Sequence, residues 1–87
     1  MVKHPSFVEG FNGSLDDLVK SIGKMRYDVV SSFIEKLAGD IKRQGDNDYN
    51  KGRTKLASKL YETADELYKA KEQMDAVWKI CAPYMKD

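Results

Sequence analysis

This chain has too little of several things to do certain kinds of chemistry. Cys81 is its only cysteine, so no internal disulfide can form. His4 is its only histidine, and one histidine with one cysteine does not make a zinc cluster. No apolar run approaches the ~20 residues of a membrane span. The opening MVKHPSFVEGF lacks the continuous apolar stretch of a signal peptide, being interrupted at His4-Pro5. Charge of one sign is also missing. Fifteen basic residues stand against fourteen acidic ones, and a net +1 gives no global attraction to nucleic acid or membrane. Glycine-rich phosphate loops and the Glu-x-x-His repeats of di-iron bundles are absent. A small cytoplasmic protein with a reduced cysteine is the expectation.

What is present is helical patterning. A hydrophobic share of 41% and a charged share of 33% suit one small, helix-rich domain. Residues 1–13 show no apolar periodicity and are expected to form an extended N-terminal arm, docked through Phe7, Val8 and Phe11. The helical domain is expected over 14–87. Ser14 and Asp17 make a capping-box signature, with Asp16 and Asp17 where the helix dipole favours negative charge. Leu15, Leu18, Ile22, Met25, Val29, Val30, Ile34, Leu37 and Ile41 follow at three- and four-residue steps. Gly23 marks a place where this segment can break, and Gly45 is the expected end of the helix. A second stripe runs through Leu56, Leu60, Ala64, Leu67, Met74, Trp78 and Cys81, with Pro83 as its stop.

The two segments are expected to fold back as an all-α antiparallel helical hairpin, of two long helices or of three if the first breaks near Gly23. A bend over residues 46–53 would set Ile41 against Leu56, Leu37 against Leu60 and Val30 against Leu67. It would also set Ile22 against Met74, Leu18 against Trp78 and Leu15 against Cys81. The same register puts Asp40 near Lys55, Glu35 near Lys59, Lys24 near Glu72 and Lys20 near Asp75, all of opposite sign. Tyr27, Val29, Phe33, Tyr61, Tyr68, Val77 and Ile80 make each apolar face wider than a two-helix seam needs. The arm, a third helix or a second chain could cover them. A homodimer forming a four-helix bundle would bury the most area.

Candidate sites are few. Asp46, Asp48 and Asn50 alternate like the first ligands of a calcium loop. The sixth place, however, holds Lys51 instead of glycine, and the twelfth holds Ala57 instead of glutamate. No metal, cofactor or catalytic residue is assigned. Lys42, Arg43, Lys51, Arg53, Lys55 and Lys59 face only Asp46 and Asp48 within residues 42–59, a local +4 suited to an anion or an acidic partner. The cross-helix ion pairs would neutralise part of that charge. Phe33, Tyr61, Tyr68, Trp78 and Tyr84 are the candidate protein interface. Cys81 reads as a small core residue. The function expected is a non-catalytic helical protein acting by protein–protein interaction, with itself and with an unknown protein as partners. A nucleic-acid or polyanion binder using the basic tip is the alternative. An enzyme or cofactor carrier assembled at an oligomer interface is the second.

Overall fold

The computed structural model describes residues 4–85, so residues 1–3 of the expected arm and residues 86–87 lie outside the described residues. Every regular element among the described residues is helical: α1 over Leu15–Gly23, α2 over Tyr27–Asn50, α3 over Thr54–Cys81, and a closing 3₁₀ turn over Ala82–Tyr84. There are therefore three α-helices, with the break where Gly23 placed it.

α1 begins on the expected capping box. The Asp17 N–H donates to Ser14 Oγ at 3.1 Å, and the Ser14 N–H donates to Asp17 Oδ2 at 3.0 Å. That second bond, then the hydroxyl, holds the Asp17 carboxyl below its usual range. The preceding arm turns at Gly10 (φ +82) and returns Phe11 towards Val8, so that Pro5, Phe7, Val8 and Phe11 gather beside Leu15 and Leu18. After Gly23 the chain bends, and Arg26, in extended conformation, starts α2. Its guanidinium holds Asp28 at 2.9 and 3.0 Å and lies over the Trp78 ring at 5.7 Å.

α2 does not end at Gly45, nor does residue 46 start a turn. It continues to Asn50, so Asp46, Asp48 and Asn50 are helical, and only Lys51–Arg53 separates it from α3. Gly52 is the left-handed residue (φ +82). Its N–H donates to the Tyr49 carbonyl at 3.0 Å and the Arg53 N–H donates to the Asp48 carbonyl at 2.8 Å, the paired bonds of a Schellman end. Gly45 is a glycine for another reason. A β-carbon there would lie 2.9 Å from Tyr61 Cε1 and 3.4 Å from Leu60 Cβ. It marks a close helix approach.

The fully buried residues are small. On α2 they are Ser31, Ala38 and Gly45, each seven residues from the next, and on α3 they are Ala57 and Ala64 at the same interval. Contacts across this seam pair Ser31 with Asp75, Glu35 with Lys71, Gly39 with Tyr68, and Asp46 with Tyr61. Position numbers thus fall along α3 as they rise along α2. Narrowing the bend from residues 46–53 to Lys51–Arg53 slides every pairing towards the C-terminus of α3, and this overturns the expected ion pairs. Glu35 meets Lys71, not Lys59. Asp40 holds Arg43 and Gln44, not Lys55, and Lys59 holds Glu62. Asp75 holds Lys71, not Lys20.

α1 makes next to no contact with α2 or α3 and has no buried residue. Leu15 is 69% exposed, so it does not pack on Cys81 as the sequence register had it. The molecule is a slab, with Cα extents of 50 × 30 × 14 Å. Its radius of gyration is 15.7 Å, against about 12 Å for a compact domain of this length.

Candidate functional site

The α2–α3 layer has two unlike faces. At ~100° per residue, Val30, Ile34, Leu37 and Ile41 turn to one side of the Ser31–Ala38–Gly45 row. On α3, Leu56, Leu60, Leu67 and Met74 turn to the same side of the Ala57–Ala64 row. Because the two helices run in opposite senses, both sets reach one face of the slab. None is fully buried, and Leu37 and Leu56 are 40% and 49% exposed. Eight large apolar side chains therefore share one face, on which Leu37 and Leu56 are exposed and the other six half-buried, and an apolar face of this kind marks an interaction site more often than a solvated surface.

Polar links run along the seam and on the opposite face. The Tyr61 hydroxyl donates to Asp46, and the Tyr68 hydroxyl lies against Gly39. The buried Ser31 hydroxyl donates to Asp75, whose carboxylate also holds Lys71 Nζ at 2.6 Å. Lys71 and Ser31, in that order, keep the Asp75 carboxyl below its ordinary range. Asp75 in turn raises Lys71, and Asp46 raises the Tyr61 phenol. These groups join α2 to α3.

The six basic candidates lie along the C-terminal part of α2, the bend and the first turns of α3. Arg43 pairs with Asp40 at 2.9 Å, Arg53 with Asp48 at 3.1 Å and Lys59 with Glu62 at 2.8 Å. Lys42, Lys51 and Lys55 have no ion-pair partner among the described residues. His4 arrives here from the arm. With Arg43, Gln44, Asn47, Asp48, Lys51 and Arg53 it lines an open hollow of about 380 Å³.

The expected aromatic interface is dispersed. Tyr61 and Tyr68 are drawn into the α2 contact, Trp78 lies beneath Arg26, Phe33 is 41% exposed and Tyr84 is 82% exposed in the closing turn. Cys81 is half-buried at the end of α3. The described residues contain no group of three or more His, Cys, Asp or Glu able to hold a metal ion. No helix among them is long and apolar enough to cross a membrane. Ala64 is on the stripe read from the sequence, but Ser31, Ala38, Gly45 and Ala57 are not, because small residues register weakly in an apolar pattern, although their seven-residue spacing is there to be read. Nothing in the sequence brings His4 to the bend, and that convergence exists only in the fold. The chain matches no family model, no curated protein and no solved structure.

Proposed function

We propose that the chain is a non-catalytic protein-interaction module. In this reading α2 and α3 form an antiparallel hairpin, and its open apolar face binds protein, first of all a second copy of the chain, as a four-helix bundle. A cytoplasmic setting suits Cys81, which has no partner thiol within the chain.

The observation that carries this reading is surface area. A folded monomer of this mass exposes about 5,200 Å², whereas this chain exposes 7142 Å². The excess is about 1,900 Å² per chain; part of it lies on the arm and α1, where Phe7, Leu15 and Val19 are exposed, and the rest is area that a second chain would cover. A domain normally stacks two layers of secondary structure around its core, and here there is one. A second hairpin laid on the Leu37–Leu60 face supplies the other layer while leaving the polar links untouched.

Light scattering over a concentration series tests it. Twice the chain mass is expected, with reversion to the single-chain mass and retained helicity for the double variant Leu37→Glu/Leu60→Glu. A single-chain mass at every concentration removes the self-association reading.

A further inference from the structure

We infer that the hollow at the bend binds a phosphate group, as free inorganic phosphate or as a phosphate monoester. This goes beyond the interaction reading, which concerns the apolar face, and it stands or falls separately.

Three parts of the chain converge there: His4 from the arm, Arg43, Gln44 and Asn47 from the last turns of α2, and Lys51 and Arg53 from the bend. The sequence register would have neutralised the region with cross-helix pairs from Asp40 and Glu35. The fold sends Glu35 away to Lys71 and keeps Asp40 at the edge of the hollow, on Arg43 and Gln44. Lys51 is left exposed at the hollow without an ion-pair partner among the described residues. The two arginines are only partly engaged. Arg53 gives Nη1 to Asp48, and Arg43 gives Nε and Nη2 to Asp40. A guanidinium has five N–H donors, so each retains donors beyond its pair. The one carboxylate in the lining, Asp48, is held by Arg53, and its side chain is only 16% exposed. Arg43, Lys51 and Arg53 against Asp48 in the lining and Asp40 on Arg43 leave +1 at the hollow, carried by Lys51.

A tetrahedral dianion matches that set. Its several oxygens can accept from Lys51, from the guanidinium donors that Asp40 and Asp48 leave free and from the Asn47 amide, and charge-assisted bonds to phosphate are among the stronger ones available to exposed groups. A monovalent spherical ion gains little from the same geometry. Because the groups are solvated, the binding is salt-sensitive.

The test is a titration of the full chain with inorganic phosphate at constant ionic strength, followed by backbone amide chemical shifts. The expected result is a saturable response confined to His4, Gln44, Asn47, Lys51, Gly52 and Arg53. Lys51→Glu should raise the half-saturation concentration by about tenfold or more. Lys42→Glu makes the same charge change on an exposed residue outside the lining and should leave it within about twofold. A short single-stranded oligonucleotide is titrated in parallel. Shifts that grow without saturating, or Lys42→Glu weakening binding as much as Lys51→Glu, overturn the site in favour of diffuse attraction. So does a response to the oligonucleotide without one to phosphate. The mass measurement on the apolar face does not depend on any of these outcomes.

Discussion

The ring of Tyr61 lies against the backbone of Gly45, with no room for a methyl group between them. The Tyr61 hydroxyl is bonded to Asp46, the next residue along α2, so the ring is held at both ends. A glycine that reads in the sequence as a helix terminator is in the structure a mid-helix contact. This relationship fixes how α2 and α3 meet.

Three glycines should respond differently to alanine. At Gly45 the new methyl meets a fixed ring, so overpacking of about 1–3 kcal/mol exceeds the ~1 kcal/mol gained in helix propensity. At Gly52 the left-handed backbone disfavours any β-carbon, and a loss of about 1–2 kcal/mol is expected. At Gly39 the nearest neighbour of the new carbon is the Tyr68 hydroxyl at 3.8 Å, an ordinary contact. There the propensity gain stands, and stability should rise by about 0.5–1 kcal/mol. Urea unfolding of the three variants checks the order.

Stability should fall on acidification through Asp75. Lys71 and then Ser31 favour its ionised form in the folded chain. Its contribution is therefore complete above the unfolded value of about 4 and is lost as pH falls through the lower folded value. Ser31→Ala should raise the Asp75 titration midpoint, as read by carboxyl carbon NMR, and Asp75→Asn should flatten the acid limb of thermal stability.

The alkaline limb should carry Lys71 and Tyr61. Both are raised, Lys71 by Asp75 first and Tyr61 by Asp46 first. Their contributions are present below the unfolded values near 10 and are lost as pH rises through the folded ones. Tyr61→Phe should remove the phenol's share, seen as a shallower fall in melting temperature above that pH.

α1 should be the least protected helix. It has nine residues and none is buried, and isolated helices this short are marginal in water. Its amides should exchange at least about tenfold faster than those in the middle of α2, and Ser14→Ala should speed them further by removing the cap. Equal protection in α1 and α2 would contradict this.

Much of this architecture was legible in advance. The capping box at Ser14, the break near Gly23 and the stop at Pro83 each have a local cause that sequence spacing displays. The bend was misplaced because Gly45 and Gly52 both satisfy the local rule for a helix end. Only the Tyr61 ring, far along the chain, distinguishes them. The basic residues were identified individually, but their pairing depended on the misplaced bend, so their neutralisation was misjudged. His4 had no local signal at all.

Gly45 and Gly52 are seven residues apart, the same interval that separates the small residues of the seam. A slip of that length would set Tyr61 against Ala38 and Tyr68 against Ser31, again a tyrosine ring against a small residue, so the spacing alone leaves two alignments nearly degenerate. The polar bridges of Ser31, Glu35 and Asp46, together with the Schellman turn, lift that degeneracy. Erasing them would make this a protein with two competing alignments of the same sequence.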